Sequence, residues 1–292
     1  MFIATLLCNP AKPLVTGETV EALRNAWGGD AARWLDSGFA AEFDFAQIPG
    51  KRWQVWAGLQ QLGIDLVVQP AENRQKKILL ADMDSTMIDQ ECIDELADEA
   101  GVWAEVSGIT ARAMNGELDF EAALTERVAL LRGLPEAVIA GVLADRISLA
   151  PGGPVLLATM KANGGYAALV SGGFTAFTGP IAARLGFDEH RANELLIADG
   201  QLTGKVAYPI LGRQAKIDAL VHIAARLGIP TSDVMAVGDG ANDLGMLGRA
   251  GAGVALHAKP TVAAQCDIRI NFGDLTALLY IQGYANADFA KP

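Results

Sequence analysis

Two carboxylates, Asp82 and Asp84, stand two positions apart where the aliphatic run of LLADMDST stops. Side chains two apart on an extended strand share a side, and a chain leaving the strand turns both toward one point from different directions. One carboxylate is then free to attack while its neighbour handles a proton. Further along, Asp239, Asn242 and Asp243 follow a second aliphatic run, VMAVG. Carboxylates gathered in one cleft do not stay ionised without a cation, and Mg²⁺ prefers a few oxygen ligands with water and phosphate in its remaining positions. Asp82, Asp84 and Asp239 suit that metal. Taken alone, Asp-x-Asp-Ser-Thr also serves as a helix cap with a local turn.

Ser171, Gly172 and Gly173 follow a third run, YAALV. Glycines let backbone N–H groups approach an anion closely, and a helix starting just beyond them adds its partial positive charge. Lys216 opens a stretch in which Ile217, Leu220, Val221, Ala224 and Leu227 are expected on one helical face. A lysine at a helix start is ordinarily solvated, and Ser-Gly-Gly is ordinarily a turn. Their value lies in their order behind the paired aspartates.

Several chemistries are disfavoured. His190, His222 and His257 are scattered, and Cys8, Cys92 and Cys266 are far apart, so no zinc spacing or disulfide framework emerges. The cysteines are expected to be buried and the histidines exposed. A formal charge of -11 gives no footprint for nucleic acid and makes any positive charge near an anionic substrate a local feature. The opening MFIATLLCNP has no basic segment before its short apolar run, which points to the cytoplasm. The uncharged stretch 162–183 is broken by glycines and Pro180, and is expected to be strand, loop and helix instead of a membrane span.

The elements that must position these groups are legible in outline. With 292 residues, 51% of them hydrophobic, the chain has enough apolar material for one large domain or two ordinary ones. Residues 1–75 hold four of the five tryptophans, Trp27, Trp34, Trp53 and Trp56, and alternate strand and helix patterns, predicting a small α+β domain with its own core. The polar linker PAENRQKK predicts that this domain is separable from the rest of the chain. Residues 76–292 repeat aliphatic runs (ILLA, YAALV, ELLIA, VMAVG, GVAL, IRI) between helical stretches, predicting an α/β unit with an open, mostly parallel sheet. The interval from about 88 to 150 reads as helical throughout and is too long for a crossover loop, so it is expected to be an inserted subdomain. Ligands of such sheets bind beyond the carboxyl ends of the strands, where the aspartates and the Ser-Gly-Gly triplet fall.

In this order and at these separations, DMDST (82–86), SGG (171–173), Lys216 and GDGAND (238–243) resemble the four motifs of the haloacid dehalogenase-like phosphohydrolases. Within that superfamily the resemblance is to the phosphoserine phosphatase family, through ECIDELADEAGV, RAMNGELDFEAALTERVALLRGL, AVGDGANDLGML and GVALHAKP, over roughly residues 76–284. It implies a Rossmann-like core with an inserted helical cap. Residues 1–75 lie outside it and look somewhat like an ACT-type regulatory domain.

The resemblance also implies roles. Asp82 is the expected nucleophile and Asp84 the expected acid and base, with Mg²⁺ on the Asp82 carboxylate, the Asp84 carbonyl and Asp239. Ser171, Gly172, Lys216 and Asn242 are expected around the phosphate, with Asp243 supporting the metal and the lysine. In the cap, Arg127 interrupts the apolar face of Phe120, Ala123, Leu124, Val128 and Leu131, where an arginine alone would snorkel to solvent. The resemblance instead gives Arg127 the substrate carboxylate and Glu91 its ammonium, with Met114 and Phe120 as an apolar wall. The implied substrate is O-phospho-L-serine, in the last step of serine biosynthesis. No nucleic acid or membrane partner is expected, and a homodimer is compatible with the chain. The alternatives are a phosphatase or phosphotransferase for another small phosphomonoester, or an amino-acid sensor built on the first 75 residues.

Overall fold

The computed structural model describes residues 1–115 and 117–292. Six elements open the chain: β1 (Phe2–Cys8), α1 (Gly17–Trp27), β2 (Arg33–Asp36), β3 (Ala40–Phe45), α2 (Arg52–Gln61) and β4 (Ile64–Pro70). They form a four-stranded sheet of order β2-β3-β1-β4 with antiparallel pairings, the βαββαβ ferredoxin-like arrangement. Alternation along the strands sends Ala4, Leu6, Phe43 and Leu66 toward Val20 and Leu23 of α1 and Leu59 of α2. The opposite residues, Leu7, Ala40 and Val67, join the core of the rest of the chain. Tryptophan marks this small core less faithfully than the sequence suggests. Trp27 and Trp56 pack against it, whereas Trp34 and Trp53 are exposed.

The remaining elements are β5 (Ile78–Ala81), α3 (Cys92–Glu99), α4 (Trp103–Met114), α5 (Phe120–Leu130), α6 (Ala137–Asp145), α7 (Gly153–Ala162), β6 (Tyr166–Phe174), α8 (Thr175–Leu185), β7 (Glu189–Asn193), β8 (Leu195–Ala198), β9 (Gln201–Val206), α9 (Arg213–Leu227), β10 (Val234–Gly238), α10 (Leu244–Arg249), β11 (Ala252–Leu256), α11 (Pro260–Ala263), β12 (Ile268–Ile270) and α12 (Ala277–Tyr280). Six strands form a parallel sheet of order β12-β11-β10-β5-β6-β7. Ile78 and Leu80 pack on one face with α9 and α10, and Leu79 and Ala81 on the other with α7, α8 and α12. Burial on both faces explains why the central strands read as unbroken aliphatic runs. From β5 the chain winds outward through β6 and β7, and β10 begins the other half beside β5. That change of direction is the topological switch point, where a crevice opens beyond the strand ends.

This is a Rossmann-like core with cap helices and an N-terminal α+β unit. The cap comprises α3 to α6, and an isolated bridge between Ile88 and Leu149 joins its entering and leaving segments. In α5, Asp119 caps the first turn by accepting from the Ala122 amide at 2.9 Å.

Three local expectations need correction. ELLIA is not a strand of the parallel sheet: β8 pairs antiparallel with β9 in a separate hairpin, and the edge strand is the polar β7, EHRAN. An edge strand needs less apolar surface than a central one, so its sequence lacks the signal. SGGFT is not a loop, because β6 continues irregularly to Phe174 and α8 follows at once. The buried stripe of α9 is Lys216, Ala219, Leu220, Ile223 and Ala224, with Val221 and Leu227 exposed. It is displaced because an ion-paired lysine occupies a buried position. The three cysteines are buried and the three histidines exposed. Among the described residues, no helix is long and apolar enough to cross a membrane.

Candidate active site

The carboxyl ends of β5, β6 and β10 place Asp82, Ser171 and Asp239 around the switch point. Asp82 Oδ1 accepts from its neighbour's amide, Met83 N, at 2.8 Å and lies 2.7 Å from Lys216 Nζ. Lys216 donates to Asp243 Oδ1 at 2.6 Å, so one buried ammonium bridges two buried carboxylates. The second Asp243 oxygen accepts from the amides of Asp239 and Gly240 at 3.1 and 3.0 Å. Asp84 points elsewhere. Its Oδ1 accepts from Cys92 N at 2.9 Å and its Oδ2 from Ser171 Oγ at 3.3 Å.

Burial and mutual repulsion raise these carboxyl groups despite the Lys216 ammonium. Burial, then the charge of Asp243, pushes the Asp82 carboxyl up to about 8 against the pull of Lys216. Burial likewise raises Asp84, opposed by the Cys92 amide, and burial with Asp243 raises Asp239 well above the usual carboxylate range. Burial alone would depress the Lys216 ammonium, but Asp243 and Asp82 hold it above its ordinary value. Oxygens of Asp82, Asp239 and Asp243 lie within 4.8 Å of one another, and among the described residues the buried Asp239 Oδ2 has no hydrogen-bond partner. An all-oxygen set with one unpartnered buried carboxylate oxygen fits a hard divalent cation such as Mg²⁺. Asp243, whose two oxygens are already engaged, is the less available ligand. The Asp84 carboxylate is turned out of this group, leaving only its backbone carbonyl for the expected metal role.

The cap closes over this floor. Asp82, Asp84, Glu91, Met114, Phe120, Arg127, Ser171, Gly172 and Asn242 line one cleft, with Lys216, Asp239 and Asp243 behind its floor. At the cleft the cap meets the core where Ala241 N donates to Met114 O at 3.1 Å and where the Phe120 ring lies over Gly172 and Gly212. A Cβ at Gly172 would come within 2.7 Å of Phe120 Cζ and displace the ring, and one at Gly212, 3.0 Å from its Cδ1, would crowd it. On the cap side, Glu91 Oε1 accepts from Ser85 Oγ at 2.6 Å, and burial with the charge of Asp84 pushes the Glu91 carboxyl up to about 8. Arg127 does not snorkel. It is 6% exposed, and its Nε and Nη1 donate to Ala123 O and Thr110 Oγ1 at 3.1 and 3.0 Å.

Sequence reasoning missed Asn193 and Thr86. Asn193, 2% exposed at the end of β7, donates through Nδ2 to Gly172 O at 2.8 Å and Leu211 O at 3.3 Å, while its Oδ1 accepts from Leu211 N at 2.7 Å. It therefore ties the Ser-Gly-Gly segment to the approach of α9. Thr86 Oγ1 lies 3.4 Å from Asp239 Oδ1, at the long limit of a hydrogen bond. A polar residue ending a polar edge strand carries no sequence signal of such a junction. For Thr86 the available clue is its position within the DMDST motif.

Residues 79–248 match the haloacid dehalogenase-like hydrolase family. The chain is 44% identical over 224 residues to a phosphoserine phosphatase of Streptomyces coelicolor, an alignment covering 76% of this chain and 54% of that one. The chain thus spans only about half the length of this relative. A crystal structure of a haloacid dehalogenase family hydrolase from Salmonella enterica serovar Typhi superposes with a TM-score of 0.85 at 32% identity, covering 97% of this chain and 98% of that one. A structure described as a phospho-aspartyl intermediate analogue of phosphoserine phosphatase gives a TM-score of 0.68 at 42% identity, covering 70% of this chain and 98% of that one.

Proposed function

The chain belongs to the haloacid dehalogenase-like hydrolases, and from that premise we propose that it hydrolyses O-phospho-L-serine to L-serine and phosphate, the last step of serine biosynthesis. The observation that carries this reading is the charge pattern of the cleft. Phosphoryl-handling groups form its floor, and a guanidinium and a carboxylate, Arg127 and Glu91, stand together on the cap side. A phosphorylated zwitterion complements that arrangement: its carboxylate goes to Arg127 and its ammonium to Glu91, with Met114 and Phe120 beside its carbon skeleton. The relatives named phosphoserine phosphatase support the same assignment.

An oxygen of Asp82 attacks phosphorus as the bond to the seryl oxygen breaks, giving an aspartyl-phosphate. Asp84 delivers its proton to the departing seryl oxygen. The rise that burial imposes on Asp84 favours the protonated form this step requires. Asp84 then takes a proton from water as the water oxygen attacks phosphorus, which frees phosphate and restores Asp82. Lys216, Ser171, Asn242 and the Gly172 amide surround the charge on the equatorial oxygens. Asp82, Asp239 and the Asp84 carbonyl would hold Mg²⁺, which when bound supplies further positive charge to the transferring group.

Phosphate release from O-phospho-L-serine tests the reading. Turnover is expected with Mg²⁺, loss with EDTA and recovery when Mg²⁺ is restored. Comparable kcat/KM on a panel of phosphomonoesters lacking the amino-acid group would overturn the substrate assignment while leaving the phosphatase chemistry intact.

A further inference from the structure

We propose that Thr110 and Asp94 are specificity-determining positioning residues, a relay that fixes the Arg127 guanidinium so that its remaining edge faces a substrate carboxylate. Neither lines the cleft, and each sits on a different cap helix from Arg127. The inference rests on the assignment of Arg127 to the carboxylate of a phosphorylated amino acid.

The geometry is a chain of hydrogen bonds through three helices. Arg127 on α5 donates through Nη1 to Thr110 Oγ1 on α4 at 3.0 Å, and Thr110 Oγ1 donates to Asp94 Oδ1 on α3 at 2.7 Å. Thr110 is 3% exposed. Its hydroxyl also lies 3.0 Å from Val106 O, one turn earlier in α4. A hydroxyl has one proton and two lone pairs, so donation to the anionic Asp94 leaves a lone pair for Arg127.

Arg127 is held at a second point, because Nε donates to Ala123 O in its own helix at 3.1 Å. Two bonds to different nitrogens fix both the position and the plane of the guanidinium. Among the described residues Nη2 has no hydrogen-bond partner, so the Nη2 edge is left for a ligand in the cleft. A planar fork gains its selectivity for carboxylate from that fixed plane, which an unrestrained arginine would lack. Asp94 adds the negative charge that steadies the relay without entering the substrate space, where Glu91 already stands.

The test uses the full chain with Mg²⁺ and two substrates, O-phospho-L-serine and O-phosphoethanolamine, which lacks the carboxylate. Thr110→Val preserves shape and removes the hydroxyl, and Thr110→Ser preserves the hydroxyl and removes a methyl. The valine variant should lose about tenfold in kcat/KM on phosphoserine, chiefly through KM, and stay within about twofold of the parent on phosphoethanolamine. Serine should restore most of the loss. Asp94→Asn, on another helix, should show the same substrate bias at about threefold or more even where the valine variant fails to fold. Equal losses on both substrates, or a serine variant as impaired as valine, would make these residues packing elements and overturn the inference. Arg127→Ala separates the two levels. A phosphoserine-selective loss there with none in Thr110→Val and Asp94→Asn removes only the relay, whereas no selective loss in Arg127→Ala removes the carboxylate assignment and the relay with it.

Discussion

At the residue scale, the two aspartates of DMDST are separated by what each side chain contacts. Asp82 is held by Lys216 at 2.7 Å, beside the Asp239 and Asp243 carboxylates, whereas Asp84 is held by the Cys92 amide and the Ser171 hydroxyl. Lys216 gives Asp82 a counter-charge that works against burial and the charge of Asp243, as a charged nucleophile requires, whereas for Asp84 burial outweighs the donors of Cys92 and Ser171 and favours the protonated acid. Asp84→Asn should therefore keep Asp82 able to attack while removing leaving-group protonation. Phosphorylation of the enzyme by an aryl phosphate, whose leaving group departs unaided, should fall far less than phosphorylation by phosphoserine in rapid-quench measurements. Equal losses would count against the acid role. Asp82→Asn should abolish both, because an amide cannot form the acyl-phosphate.

At the scale of elements, the sequence is most readable where burial and chemistry coincide. ILLA and VMAVG, buried on both faces, announce central strands, and the aspartates that end them mark the crevice. The same logic misreads the edge, where EHRAN is a core strand and the more apolar LLIA belongs to a hairpin with exposed Leu196 and Ile197. It also misplaces the α9 stripe, since a hydropathy pattern gives a buried Lys216 no place among apolar residues. Arg127 shows the converse case: its place on an apolar face is legible, but one of its buried partners, Thr110, lies seventeen positions away and on another helix. Asn193 belongs to this scale because it joins three elements at once. Asn193→Asp keeps the acceptor for Leu211 N but sets an oxygen against the carbonyls of Gly172 and Leu211. Lone pairs facing lone pairs in a buried site should loosen both segments, lowering kcat by about tenfold or more and weakening product inhibition by inorganic phosphate. Unchanged turnover and phosphate inhibition would show that the strand pairings alone hold the Ser-Gly-Gly segment.

At the scale of the whole molecule, the first 75 residues are less separable than their polar linker suggests. One face of their sheet shares a continuous apolar core with Leu278, Leu279 and Ile281. Polar contacts reinforce that seam: Gln69 donates to Ile281 O at 2.6 Å, and Tyr280 donates to Asp36 at 3.0 Å. Arg269 stacks 4.1 Å from the ring centroid of Trp53. Removing residues 1–75 would expose this apolar face, so the fragment is expected to be prone to aggregation, contrary to the expectation from the linker alone. The most concentrated contact is Asp65 of β4, fully buried, whose carboxylate accepts from the amides of Asn271, Phe272 and Gly273 at 3.0, 2.8 and 3.0 Å. Gly273 O in turn meets His257 Nε2 at 2.8 Å, and the Lys259 amide just beyond donates to Asp239 O at 3.1 Å. The anchor for the loop after β12 thus lies two short steps from the expected metal ligand. Asp65→Ala strands one buried backbone donor, of Gly273, and two half-buried ones, of Asn271 and Phe272, and a buried unpaired donor costs about 1 to 3 kcal/mol, so destabilisation of about 2 kcal/mol is expected. In a chain of this size that corresponds to a fall of roughly 4 °C or more in Tm. The Mg²⁺ concentration giving half-maximal activity should rise in the same variant, measured well below its Tm. A fall in Tm with unchanged Mg²⁺ dependence would confine Asp65 to holding the two units together, and an unchanged Tm would mean that the apolar seam alone suffices.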